Sequence, residues 1–142
     1  MHADICGPIN PMSSSNKRYI LSFIDDFSWK IWLYFLNEKS ETCSLFKRFK
    51  VLVEKETCVS IGSLRTDRGG ESTSNEFGEF CKSHDIRRQL TVSYTPQQNG
   101  VAERKNRTIM NMVRSMLIEK HVPKIFWAEA ARWCVIFSIE VL

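Results

Sequence analysis

The order of apolar patterns along the 142 residues predicts an α/β domain with a mixed five-stranded sheet, three antiparallel strands and then two more, flanked by helices. Three observations carry this expectation. Residues 17–25 (KRYILSFID) and 29–36 (WKIWLYFL) are rich in β-branched and aromatic residues, and Asp25, Asp26, Phe27 and Ser28 supply turn chemistry between them. Two later stretches repeat apolar residues at helical spacing. Short apolar runs then alternate with those helices, giving the order βββαβαβαα with no internal repeat or linker.

Each element has a local reason. Residues from Ala3 to Cys6 read as a short strand stopped by Gly7 and Pro8, with PMSSSN as the loop to the hairpin. Leu45, Phe46, Phe49, Leu52 and Val53 form one stripe, with Lys47, Arg48 and Lys50 elsewhere around the wheel, so 40–56 is an amphipathic helix with Ser40 as its cap. Residues 59–66 read as a buried strand that delivers Asp67 at its C-terminal end, where open α/β sheets place their chemistry. Gly69 and Gly70 allow a sharp turn, and Thr73 and Glu76 stand at capping-box spacing before a short helix carrying Phe77, Phe80 and Cys81. Residues 86–92 are another strand, and Pro96 and Gly100 mark a loop. The long helix beyond it has an apolar stripe of Ile109, Met112, Val113, Met116 and Leu117; Pro123 opens a last helix that buries Phe126, Trp127, Ala130, Ala131 and Cys134.

Composition narrows the function. Hydrophobic residues are 43% and charged ones 25%, an ordinary globular balance for one domain of this length. No apolar run approaches the ~20 residues of a membrane span, and the N-terminus has no signal-peptide pattern, so an intracellular protein without a membrane partner is expected. The net charge of +4 and pI near 8.9 are compatible with a polyanionic partner without demanding one. Five cysteines and three histidines show no C-x-x-C spacing, which argues against a zinc ribbon; the cysteines are read as reduced, mostly buried thiols. His2, Asp4 and Cys6 would share one strand face, but a frayed terminus and chance explain them better than a soft metal site.

Three carboxylates stand apart from ordinary surface acids: Asp4 in MHADICGP, Asp67 in SLRTDRGGE and Glu103 in YTPQQNGVAERKNRT. The last two are separated by 103 − 67 − 1 = 35 residues. Acids from two strands and a helix can converge on divalent cations, and Mg²⁺ takes oxygen ligands with only one or two carboxylates per ion. Glu103 lies off the apolar stripe on a face shared with Arg107 and Arg114, so an exposed i,i+4 pair with Arg107 is the plainer alternative. Asp67 could be only a turn former and Asp4 only a strand terminator; Asp25 and Asp26 compete as the third ligand but sit in a turn that favours Asp for local hydrogen bonding. Basic residues flank the acids: Arg65 and Arg68 bracket Asp67, Arg87 and Arg88 are adjacent, and Arg104, Lys105 and Arg107 follow Glu103.

HADICGP, YILSFIDDFS, LRTDRGGE, SYTPQQNGVAERKNRTIMNMVRSML and PKIFWAEA together resemble the integrase catalytic core of copia-type long-terminal-repeat retrotransposons, within the retroviral integrase superfamily, over almost the whole chain. The resemblance implies a ribonuclease H-like fold and an Asp-Asp-Glu triad at Asp4, Asp67 and Glu103 holding two Mg²⁺ or Mn²⁺ ions. It implies trimming of element DNA ends by water, then attack of the new 3′-hydroxyl on target DNA. It further implies DNA as partner, a homo-oligomer in the full-length protein and a nuclear site for the integration step. By the same resemblance the segment from Tyr94 to Gly100 is an active-site loop, and Arg68, Gln97, Gln98, Asn99, Arg104, Lys105 and Arg107 are candidate DNA contacts. Residues 1–142 would be one catalytic core truncated at both ends, lacking the upstream zinc domain and the C-terminal DNA-binding domain, and Trp29 stands where the family commonly has a basic residue. A non-catalytic nucleic-acid-binding remnant of a decayed element, and a ribonuclease H-type hydrolase, remain the competing expectations.

Overall fold

A computed structural model describes the backbone of residues 1–66, 75–90 and 96–140, and the side chains of all of these except 96–99, 101–102 and 137–140. The elements are β1 (His2–Cys6), β2 (Tyr19–Ile24), β3 (Ile31–Leu36), α1 (Thr42–Thr57), β4 (Ser63–Thr66), α2 (Asn75–Ser83), β5 (Arg87–Leu90), α3 (Pro96–Glu119) and α4 (Trp127–Glu140). One five-stranded sheet has the order β3-β2-β1-β4-β5. The hairpin β2–β3 and the β1–β2 pair are antiparallel, whereas β4 pairs in parallel with both β1 and β5. This is the mixed sheet expected from the sequence.

Strand alternation sorts the side chains into two cores. Ala3, Leu21, Phe23, Leu36 and Leu64 point to the side covered by α1 and α2, where Phe23 stacks on Phe49 at a ring separation of 4.0 Å. Ile20, Ile24, Ile31 and Phe35 point the other way and pack against Val113 of α3 and Trp127, Ala131 and Cys134 of α4. Asp4 pairs with Ser22, which is flanked by Ile20 and Ile24 at strand period, so Asp4 faces the α3 and α4 side. Gly7 ends β1 with φ +139°, and a Cβ there would stand 2.7 Å from the Arg18 carbonyl oxygen; glycine is required at that step of the ICGP motif.

Several boundaries differ from expectation. His2 is not frayed but paired and buried as the first residue of β1. The strand expected over 59–66 is confined to Ser63–Thr66, because Cys58 turns into a left-handed conformation after α1 and Ile61 gives its N–H to the Glu54 carboxylate (2.7 Å) rather than to a neighbouring strand. Ser40 does not cap α1. It lies in a 3-10 turn, Lys39–Glu41, where Glu41 accepts the N–H groups of Asn37 and Glu38 at 3.0 and 2.9 Å. Pro96 and Gly100 do not mark a loop: Pro96 is the first residue of α3, a position that tolerates its missing N–H, and the helix runs on through Gly100. Leu52 and Phe126 are exposed (54% and 38%) rather than buried. At 100° per residue Leu52 lies about 90° from the mean direction of Phe46, Phe49 and Val53, and Phe126 belongs to the 3-10 turn Lys124–Phe126 that precedes α4. Thr73, Gly69, Gly70 and residues 91 and 92 lie outside the described residues.

Candidate functional site

Asp4 sits in the middle of the sheet, on β1, half-buried and aimed toward α3. The helix answers it directly: the Asn106 side-chain amide donates to Asp4 Oδ2 at 2.5 Å. Glu103 precedes Asn106 on α3 by a rise of about 4.5 Å, less than one turn. The contact therefore brings Glu103's part of the helix to the strand that carries Asp4. Glu103 is exposed and accepts from Arg107 at 3.0 Å, the i,i+4 pair expected from spacing. Such an exposed pair is weak and its carboxylate is easily released. Thr66, the last residue of β4, is one peptide bond before Asp67 in sequence, and β4 lies parallel beside β1 with Arg65 opposite His2.

The other expected site residues fall as follows. Asp67 and Arg68 lie outside the described residues. Gln97, Gln98 and Asn99 are in the first turns of α3, with side chains outside the described set, so the backbone expected as an active-site loop is helical from Pro96 onward. Arg104 and Arg107 are exposed and Lys105 is half-buried. Among the described residues no three of His, Cys, Asp and Glu are close enough to hold a metal ion. Asp25 keeps its turn role, accepting the N–H of Ser28 at 2.9 Å and its hydroxyl at 2.6 Å, bonds that hold its carboxyl below the usual range.

Asn106 is the residue that sequence reasoning passed over. Its only signal was phase, three residues after Glu103 on a helix and therefore on nearly the same face. Cys6, on the same strand face as Asp4, is pushed up in pKa by burial and then by Asp4's charge, with Arg114 of α3 opposing. His2 is engaged through its Nε2. Its Nε2 lies 2.5 Å from Asp26 Oδ1 and 3.2 Å from Arg65 Nη1. One ring nitrogen serves only one of these; the carboxylate is nearer, so Nε2 carries the proton and donates to Asp26. Burial holds the His2 pKa below its ordinary value, ahead of the opposing pull of Asp26, which fits a neutral ring.

A family profile described as "Integrase core domain" matches residues 1–96, more than half of the chain. The chain belongs to the integrase core domain family. The retrovirus-related Pol polyprotein from transposon TNT 1-94 of Nicotiana tabacum is 49% identical over 132 residues, covering 93% of this chain and 10% of that protein. The Pol polyprotein from transposon RE2 of Arabidopsis thaliana is 37% identical over 92% of this chain and 8% of its own length, so this integrase core spans a tenth or less of these curated relatives. The copia-type resemblance read from the motifs is borne out by these plant transposons. Among solved structures, a chain of the simian T-cell lymphotropic virus intasome in complex with PP2A regulatory subunit B56 gamma superposes with a TM-score of 0.70 at 19% identity, covering 94% of this chain and 45% of that one. The HTLV-2 integrase catalytic core in complex with magnesium gives 0.64 at 20% identity, covering 94% and 80%. At those identities the likeness establishes the ribonuclease H-like fold.

Proposed function

We propose that this integrase core is a metal-dependent polynucleotidyl transferase, processing the 3′ ends of element DNA and joining them to target DNA, with Asp4, Asp67 and Glu103 as catalytic, metal-holding carboxylates. The observation that carries this reading is the Asn106 to Asp4 hydrogen bond, which ties the helix of Glu103 to the strand of Asp4. The donor set supports it too: an oriented carboxylate and a second one in a weak surface pair. These residues fit Mg²⁺ or Mn²⁺, with Asp4, Asp67 and Glu103 as holders. Two such ions, when bound, supply Lewis-acid stabilisation of the attacking and leaving oxygens of an in-line phosphoryl displacement.

The chain's own residues have separable tasks. Asn106 keeps Asp4's carboxylate turned toward α3, so the ligand is oriented before any substrate arrives. Glu103 exchanges Arg107 for its catalytic role, which leaves the Arg107 guanidinium for a DNA phosphate. Arg104 and Lys105 lie on the same helix and add positive charge beside the acids, with Arg68, Gln97, Gln98 and Asn99 as further contacts. DNA ends and target duplex are the partners, a homo-oligomer is the working form, and integration takes place in the nucleus. The solved HTLV-2 cores are described as dimeric and trimeric, which supports the oligomer.

The test is metal-dependent nicking of an end-labelled duplex and disintegration of a branched substrate by the purified chain in Mg²⁺ or Mn²⁺. The expected result is activity lost on Asp4→Asn, Asp67→Asn and Glu103→Gln. Undiminished activity in Asp67→Asn removes the enzymatic assignment, and cleavage confined to an RNA–DNA hybrid points instead to a ribonuclease H-type hydrolase. DNA binding with no metal-dependent cleavage by a folded chain points to a non-catalytic remnant.

A further inference from the structure

Register assigns a second row of side chains to the strand face that carries Asp4. Arg65 is opposite His2 on β1 and opposite Gln89 on β5, and Ser63 is opposite Arg87. Partners in register share a face, and Leu64 and Arg88 take the other side, Leu64 in the α1 and α2 core and Arg88 over the Phe77 ring at 4.8 Å. Hence His2, Arg65, Gln89 and Arg87 all lie on the α3 and α4 side of the sheet. The apolar core on that side is drawn from β2, β3, α3 and α4; no residue of β4 or β5 belongs to it. Arg87 is exposed and Arg65 and Gln89 are half-buried.

Both arginines are uncompensated among the described residues, with no carboxylate oxygen within 4 Å of either guanidinium. Arg65 is nevertheless held in place. Its Nε–H donates to Gln89 Oε1 at 3.1 Å, which fixes the guanidinium across β4 and β5. Its Nη1 lies 3.2 Å from His2 Nε2, and whichever way that proton sits the Nη2 donors meet no acceptor among the described residues. The two arginines stand on a diagonal of the sheet, with Cβ atoms roughly 7–8 Å apart. Arg65 is level with His2, two strand residues before Asp4, so the row begins about 7 Å from the acid's level and leads away from it.

We propose that Arg65, oriented by Gln89, and Arg87 form a phosphate track for the DNA strand as it leaves the acids, with Arg65 nearer the reacting phosphodiester and Arg87 further along. A planar guanidinium fixed by one side-chain acceptor presents its remaining donors to phosphate oxygens with little further ordering. These contacts position DNA rather than read its sequence. The inference rests on the function proposed above and goes beyond the residues named there.

The test measures binding of a fluorescein-labelled duplex to the whole chain by anisotropy across 50–200 mM salt, for wild type, Arg87→Gln, Gln89→Leu and Lys55→Gln, the last on exposed α1. Each phosphate contact contributes about 0.9 to the slope of log K against log salt. Arg87→Gln is expected to lower that slope by about 0.9 and to weaken unrelated duplexes alike. Gln89→Leu is expected to weaken binding while Arg65 keeps its charge, and Lys55→Gln to change neither. Wild-type binding that is unaltered in Arg87→Gln and Gln89→Leu overturns the track and leaves the triad standing. An equal loss in Lys55→Gln also overturns it, because charge anywhere would then serve. Absence of duplex binding by the folded wild-type chain overturns the track together with the DNA-joining function, whereas loss or survival of cleavage in Asp4→Asn speaks to the function alone.

Discussion

Removing the Asn106 side chain isolates the contact that joins strand and helix at the site. In Asn106→Ala the amide that donates to Asp4 Oδ2 disappears. A hydrogen bond to an ionised group contributes roughly 1.5–3 kcal/mol. Both partners are half-buried and water replaces part of the lost bond, so the lower end applies, about 1.5 kcal/mol of folding stability. The effect on metal binding is separate. A carboxylate without its orienting partner must be ordered at each binding event, and loss of such partners lowers metal affinity about 10–100-fold. The partly solvated position again selects the lower end, near tenfold, which corresponds to about 1.4 kcal/mol. Calorimetric titration of the chain with Mn²⁺, beside urea unfolding of the same samples, reads both numbers. Arg104→Ala, on an exposed position of the same helix, is the control and is expected to bind metal as wild type does. Unchanged Mn²⁺ affinity in a folded Asn106→Ala chain would refute the reasoning, because Asn106 would then be packing against Asp4 rather than preparing it.

Two further outcomes follow from the same packing and electrostatics. Phe49→Ala removes a ring that is 1% exposed, stacked on Phe23 and edge-on to Trp32 and Tyr34; a loss of about 3–5 kcal/mol is expected by denaturant unfolding, and a loss below about 1 kcal/mol would contradict the core assignment. His2 has its pKa lowered in the fold from an ordinary 6.5 by burial, so below that value the unfolded chain binds the proton more readily. The neutral-ring contribution is thus complete above about pH 6.5 and declines as pH falls toward the folded value, and His2→Gln should flatten the stability profile on that acid side when unfolding is followed between pH 5 and 8.

Much of this molecule was legible in its sequence, for identifiable reasons. The hairpin β2–β3 carried long β-branched and aromatic runs around an Asp-rich turn, and α1 and α3 carried stripes at helical period; in each case the local preference and the tertiary environment agree. The start of α3 was misread because proline and glycine signal loops in general, whereas proline at the first helical position is compatible with the fold. The strand before Asp67 was overextended since apolar spacing cannot reveal that Glu54, seven residues back, captures the Ile61 N–H. At the candidate site the three acids stood out by their sequence settings and the Glu103–Arg107 pair by spacing, but Asn106 is an ordinary polar helix residue until a strand is laid beside it. The Arg65–Gln89 contact was equally silent: the two are 24 residues apart in sequence, and only the parallel register of β4 and β5 makes them neighbours.

The proposed function requires that Asp4 share divalent metal with Asp67 and Glu103. Anomalous diffraction from crystals of the chain equilibrated with Mn²⁺ tests it most directly. The expected result is a strong peak ligated by the Asp4 carboxylate, with Asp67 or Glu103 as a further oxygen ligand, and loss of that peak in Asp4→Asn. A saturated crystal with Mn²⁺ bound elsewhere and none at Asp4 would contradict it.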